Sequence, residues 1–359
     1  MKIQKYELAR AIDCIKSVIV RNPAFPALEG ILVKDGYFTG TNMELTIQVF
    51  SEACGGDSFI IPGRAFDAIK ALPDGEVEVT VENGKTDIVT IRTGKTRNRY
   101  QTFPVDAFSF YKADAGENDG VTLPGEDFLR ALMNVVNATD DKAQARIMAG
   151  VYIGSTDEGV NICATDSHII EWDRLDMFCR EKIEAIIPKS AVKQLLSLGI
   201  EDDITISYDA HSIVFKGRDF KVSSRLIEGK YLDFVRFWAS KGEIDVEVSK
   251  KELAEAMGRA KVCMYDLGKN RRPAVITVGS NQMEVEINSG TSDFYEALSI
   301  IASVAQPLRI GLNPVHILEC LKPFADGTVH LRMSGPSAPV YLEQENSLFQ
   351  AMVLPVNIM

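Results

Sequence analysis

Apolar residues recur along this chain at two spacings, and the change from one to the other is itself repeated. Leu8, Ile12, Ile15 and Ile19 stand at steps of four, three and four, and Phe128, Leu132 and Val135 or Val136 do the same. Each set predicts a helix with one apolar stripe, opposite a polar or small face that holds Arg10 and Ser17 in the first segment and Arg130, Asn134 and Asn137 in the second. Between the helices the period falls to two. Ile31–Val33, Tyr37–Thr39, Leu45–Val49, Val77–Val81 and Ile88–Ile91 predict antiparallel strands joined by hairpins. The same alternation returns over Val151–Ile153, Asn161–Cys163, Ile204–Ile206 and Ile213–Phe215, and again over Val275–Val278, Met283–Ile287, Val329–Met333 and Val340–Leu342.

Two markers give this repetition a single period. Glu7–Ile12, Asp127–Leu132 and Glu252–Met257 match in register with starts 120 and 125 residues apart, and Ile61–Phe66, Ile187–Val192 and Leu312–Ile317 follow at 126 and 125. In the second marker a proline near the helix start supplies a pre-set φ, and the helix is expected to stop at Leu72-Pro73-Asp74-Gly75, Leu198-Gly199 or Lys322-Pro323. A period this long implies duplicated domains rather than a solenoid. The expected fold class is α+β: three repeated domains of like fold, 1–118, 119–242 and 243–359, each with two helices packed on antiparallel sheet. The polar, glycine-containing stretches Tyr111–Gly120 and Ala239–Ile244 serve as linkers.

Composition narrows the class. At 359 residues, 46% hydrophobic and 25% charged, the chain is long enough for two to four ordinary globular domains. Its longest apolar stretch, Ala297–Ala305, is far below the roughly 18 residues a membrane helix needs, and the first residues lack a secretory apolar region. Six scattered cysteines without a CxxC pair imply reduced thiols in a cytoplasmic protein, with Met1 as the mature start and no structural zinc. The net charge of −11 argues against a nucleic-acid partner unless charge is segregated. It is: the helix windows sum to a net positive charge, so the acid lies on strands and loops. A weakly basic repeated helical surface on an acidic protein suits low-affinity, salt-sensitive contact with phosphates; a solvated helix face carrying lysines accounts for the same charges.

Several stretches, in order and over essentially the whole chain, resemble the bacterial replicative sliding clamps, the β subunits of DNA polymerase III. They are Asn22–Leu28 with Gly40–Glu44, Ile61–Pro73, Ala164–His168, Ile187–Lys189, Ser224–Tyr231 and the terminal Val353-Leu354-Pro355-Val356. The resemblance implies a DNA clamp fold in which two chains close head to tail into a ring around double-stranded DNA, with helices lining the hole. It also implies a homodimer seam, for which Arg97, Arg99, Tyr100 and the segment Met264–Arg272 are candidates, facing an acidic side reduced here to Asp293 and Glu296. The encircled duplex would be held non-specifically near Arg21, Asn22, Arg64, Lys70, Lys142, Arg146, Lys189 and Lys193.

The resemblance further implies a cleft in which the replicative polymerase, the clamp loader and repair proteins insert short hydrophobic motifs. Matching positions are Met148, Thr165, Ser167, His168, Ile169, Ile170, Leu232, Arg236, Phe237, Asn313, His316, Val340, Val353, Leu354, Pro355 and Val356. Leu, Val, Ile and Met with a few polar rims are what a short apolar anchor requires. This chain departs from the family pattern at Ser167, where Gly is common, at Ile169, where Arg is common, at His316, where a phenol is common, and at its Asn357-Ile358-Met359 end.

Other motifs carry less. Gly84-Lys85-Thr86 and Gly94-Lys95-Thr96 sit at strand turns without the earlier glycine of a phosphate loop. Asp166-Ser167-His168 places three catalytic residue types side by side, but a triad is assembled through space and there is no GxSxG elbow. The four histidines are not paired at ligand spacing. No cofactor, metal or enzymatic activity is expected. The alternative that stays open is a peptide-binding scaffold, or a hydrolase using Thr165–His168, with no DNA role.

Overall fold

A computed structural model of the chain describes every residue except 57, 85, 111–119, 178, 180, 181, 240, 265–271, 291 and 359. Among the described residues the helices are α1 (Lys5–Ile15), α2 (Phe66–Lys70), α3 (Gly125–Val135), α4 (Lys189–Ser197), α5 (Val235–Trp238), α6 (Lys250–Cys263) and α7 (Pro314–Leu321). The expected stripes are buried: Leu8, Ile12 and Ile15 on α1, Phe128, Leu132 and Val135 on α3, and Leu253 and Met257 on α6. Ile19 is the exception. α1 ends at Ile15, the chain turns through Lys16, and Val18 takes the buried place beyond the helix. α1 sits so close on its sheet that a Cβ at Gly40 would lie 2.1 Å from Ile15 Cγ2, which is why that strand position carries no side chain.

The prolines of the second marker stand at helix starts in all three copies, and in two of them the proline also closes a strand. Pro62 and Pro188 are the last residues of strands Phe59–Pro62 and Glu184–Pro188, both outermost in their sheets, where a missing N–H removes no ladder bond. Only Pro314 stands in the first turn of its helix, behind Asn313, whose Oδ1 accepts the Val315 N–H at 3.0 Å.

The described residues form two compact units, Met1–Leu129 with Ser190–Leu226, and Arg130–Lys189 with Ile227–Met359. Each contains a four-stranded sheet and a larger one, antiparallel throughout. In the first unit the eight-stranded sheet runs Phe59–Pro62, Gly30–Lys34, Tyr37–Thr41, Leu45–Phe50, Phe220–Arg225, Ser212–Lys216, Ile204–Tyr208, Val121–Leu123. In the second, the nine-stranded sheet runs Glu184–Pro188, Gly150–Thr156, Gly159–Thr165, Ile169–Leu175, Gln350–Val353, Val340–Glu343, Thr328–Met333, Ile244–Ser249, Ile301–Ala302. The period-two pattern therefore located strands correctly but not their sheets. Leu45–Phe50 pairs with Phe220–Arg225, and Ile169–Leu175 with Gln350–Val353, so each large sheet is continuous across two sequence copies. The smaller sheets leave Thr96–Thr102 and Asp293–Ser299 as outer strands. Linker Tyr111–Gly120 lies, apart from Gly120, outside the described residues, as does most of Met264–Arg272.

Candidate functional site

The Thr165–Ile169 segment is a turn built by its own side chains. Asp166 Oδ1 accepts the backbone N–H groups of His168 and Ile169, both at 2.8 Å, while Thr165 Oγ1 donates to the Ile169 carbonyl at 2.6 Å and accepts the Ser167 N–H at 3.2 Å. Ser167 is held at φ +75°, the left-handed region that favours glycine. The turn occurs twice. Thr41 Oγ1 donates to Leu45 O at 3.0 Å, Asn42 Oδ1 accepts from Glu44 N and Leu45 N, and Met43 stands at φ +76°. The Asp166 carboxylate is thus a backbone cap, and the His168 ring stacks on His316 with centroids 5.2 Å apart. This is turn chemistry rather than a relay that would activate Ser167.

Around this turn the second unit gathers most of the expected cleft. Ile169 stands opposite Val353 and Ile170 opposite Met352 in one ladder, and Val340 opposite Val353 in the next. The chain end is then stitched down: Leu354 N–H donates to His168 O at 2.9 Å and Val356 N–H to Gly311 O at 2.8 Å. Gly311 permits this approach, since a Cβ there would lie 2.2 Å from Ile358 Cγ2 and 2.4 Å from Val356 O. Asn313 Nδ2 lies 3.1 Å from His316 Nε2, fixing that ring at the start of α7.

Behind these residues lies an aromatic cluster of Tyr231, Phe234, Trp238 and Tyr341 with Cys163, Ile170 and Met352, against which Leu232 and Ile147 pack. Tyr341 OH donates to Phe237 O at 2.8 Å, tying α5 to strand Val340–Glu343. Met148 follows Ile147 in the short 3₁₀ segment Arg146–Ala149. Phe237, Leu354 and Val356 remain exposed, as does Arg236, whose Nε is 3.9 Å from Asp233 Oδ2. Exposed apolar side chains beside a packed aromatic cluster are what an apolar peptide anchor needs. Tyr231, Trp238, Tyr341 and Met352 were not among the expected residues; they form this cluster because the fold superposes strands that are remote in sequence.

The positions considered for DNA divide by what they hold. Arg21, Lys142, Arg146 and Lys193 are exposed. Asn22, also exposed, stands at φ +52° with its N–H 2.6 Å from Glu29 Oε1. Arg64 donates to the Gln101 carbonyl. Lys70 pairs with Asp13 at 2.5 Å, and Lys189 donates to Thr139 O at 3.0 Å, so these two are turned to internal partners. On the candidate seam strands, Arg99 pairs with Glu82 at 2.9 Å and Glu296 is gripped by Arg259 through contacts of 2.8 and 2.6 Å. A separate cavity of about 480 Å³ lies in the first unit among Arg10, Cys14, Val49, Ile200, Asp219 and Phe220.

Residues 1–112 match the family model described as DNA polymerase III beta subunit, N-terminal domain, and 122–233 match the central domain of the same subunit, together more than half of the chain. The chain belongs to the DNA polymerase III beta subunit family. Among family members, the beta sliding clamp of Bacillus subtilis is 23% identical over 99% of this chain and 98% of its own, and that of Staphylococcus aureus is 24% identical over 98% and 97%. The solved sliding clamp of B. subtilis superposes with a TM-score of 0.90 at 22% identity, covering 100% of this chain and 99% of its own. A Pseudomonas aeruginosa clamp with ligand gives 0.91 at 20% identity, and another, bound to griselimycin, 0.89 at 20%, both with the same coverage. The beta-subunit fold therefore extends over the whole chain.

Proposed function

We propose that this beta subunit is a DNA polymerase processivity factor: a ring-shaped sliding clamp that encircles duplex DNA and tethers the replicative polymerase, the clamp loader and repair proteins through the cleft around His168, His316 and Leu354. Each chain supplies three clamp domains, 1–118, 119–242 and 243–359, and two chains close the ring as a homodimer. It performs no chemistry of its own and works in the cytoplasm. Among the described residues, no helix is long and apolar enough to cross a membrane and no cluster of ligating side chains could hold a metal ion.

The observation that carries the reading is the pairing of Gln350–Val353 beside Ile169–Leu175, which brings an exposed apolar chain end against the His168 turn in a chain of this family. Tethering then acts through effective concentration: a polymerase docked on a threaded ring stays near its template even when each contact is weak. The homodimer reading is supported by the outer strands Thr96–Thr102 and Asp293–Ser299, whose unpaired backbone groups suit strand addition. With a net charge of −11, grip on DNA by adhesion would be poor and salt-sensitive, whereas threading is not.

The test is to load the protein on nicked circular DNA with a clamp loader, then raise the salt and linearise. Retention on the circle in high salt, loss on linearisation, and a solution mass near twice 39.6 kDa are expected. Equal loss from both forms would favour a peptide-binding scaffold without a DNA role.

A further inference from the structure

The two copies of the capped turn also set the registers of the strands that follow them, and one position differs in kind. Two residues after Leu45 comes Ile47, fully buried; two residues after Ile169 comes Glu171, 1% exposed. An acid thus stands where the sister strand carries a hydrocarbon. One carboxyl oxygen takes the Ala138 N–H, and Oε2 has no hydrogen-bond partner among the described residues.

The surroundings do not stabilise a charge. α7 packs on strands Ile169–Leu175 and Gln350–Val353, which brings Glu319, Cys320 and Lys322 within electrostatic reach of the carboxyl. Asp166 in the turn lies within electrostatic reach of it, and Ala164 and Ala351 stand opposite it in the two ladders. Two carboxylates oppose one lysine. Burial first, then Glu319 and Asp166, push the Glu171 carboxyl well above the ordinary glutamate range, with Lys322 and the Ala138 N–H pulling the other way. At low pH the group is therefore a neutral acid between sheet and helix. Ionised, it would be a buried anion facing two others.

We propose that Glu171 is a proton-dependent clasp: uncharged, it lets α7 seat on strand Ile169–Leu175, and loss of its proton loosens α7 and opens the peptide cleft. The coupling is direct because α7 is capped by Asn313 and carries His316 in its first turn, while the same strand begins with Ile169 and Ile170. Partner peptides are then released as pH rises. This rests on the cleft reading above, and the experiment separates the two.

Binding of a fluorescent apolar pentapeptide rich in Leu and Phe, and of griselimycin, is measured from pH 6 to 9 for the full chain, Glu171→Gln and Glu171→Ile, the last restoring the residue type of the first copy. Protection of α7 amides against hydrogen exchange is followed in parallel. Expected is a loss of affinity and of α7 protection in the unmodified protein of about tenfold or more across the range, with less than about twofold in either variant. His168 and His316 are present in all three proteins, so the difference isolates Glu171. Parallel profiles in the unmodified protein and Glu171→Gln overturn the clasp. If no probe binds at any pH, the cleft reading fails, and the α7 protection data still decide the clasp alone.

Discussion

Removing the last six residues, from Leu354 onward, tests the cleft without breaking the sheet. The cut loses the hydrogen bonds from Leu354 N–H to His168 O and from Val356 N–H to Gly311 O, each worth about 1 kcal/mol net. It also uncovers the surface beneath Leu354 and Val356, which are 36% and 39% exposed. The expected stability loss is about 2 to 4 kcal/mol, less than a typical domain's total of about 5 to 15, so the protein stays folded. If a bound peptide covers about 60 Å² of apolar surface on each of these two side chains, their loss costs about 3 kcal/mol of affinity, or about 100-fold. Starting the deletion one residue earlier is a different experiment. Val353 is fully buried and paired with both Ile169 and Val340, so its removal unzips the centre of the nine-stranded sheet. Arg236, exposed and only loosely paired with Asp233, should cost at most about 1 kcal/mol as Arg236→Ala. The assay is fluorescence anisotropy with an apolar peptide, alongside thermal melting and solution mass to show that fold and dimer survive. A protein lacking 354–359 that is folded and binds within about threefold of the full chain would refute the reasoning.

Three further perturbations follow from individual contacts. Asp173, fully buried, accepts from Arg130 at 2.9 Å and Asn134 at 2.7 Å; Arg130→Met should destabilise by about 2 to 3 kcal/mol, discounted for the partial exposure of the guanidinium and read as a lower denaturant midpoint. Ser167→Gly relieves a left-handed residue at the cost of unfolded-chain entropy, so the net change should be between zero and about 1 kcal/mol stabilising in thermal melts, and clear destabilisation would contradict it. Because the Glu171 carboxyl is raised in the folded state, the native protein keeps a proton that the unfolded chain has lost. Its contribution is intact below the ordinary glutamate value and falls by about 1.4 kcal/mol per pH unit up to its folded value, a slope that Glu171→Gln should remove from stability-versus-pH curves.

How far the sequence reaches is seen by comparing α3 with the aromatic cluster. Phe128, Leu132 and Val135 are legible because helix burial depends on spacing within eleven residues, and the repeat is legible because like domains bury like positions. The turn caps were also written locally, in Thr41-Asn42 and Thr165-Asp166. Strand partnership was not. An alternating segment fits either side of many neighbours, and which it joins depends on contacts more than a hundred residues away. Only the tertiary structure set Gln350–Val353 against Ile169–Leu175, brought Tyr231, Trp238 and Tyr341 beneath the cleft, and gave Lys70 and Lys189 partners in Asp13 and the Thr139 carbonyl. It alone showed that the carboxyl of Glu171, an unremarkable letter in a strand, lies out of water with one oxygen unpaired among the described residues. Local spacing is fixed by bonded geometry; burial is a property of everything that arrives from elsewhere in the chain.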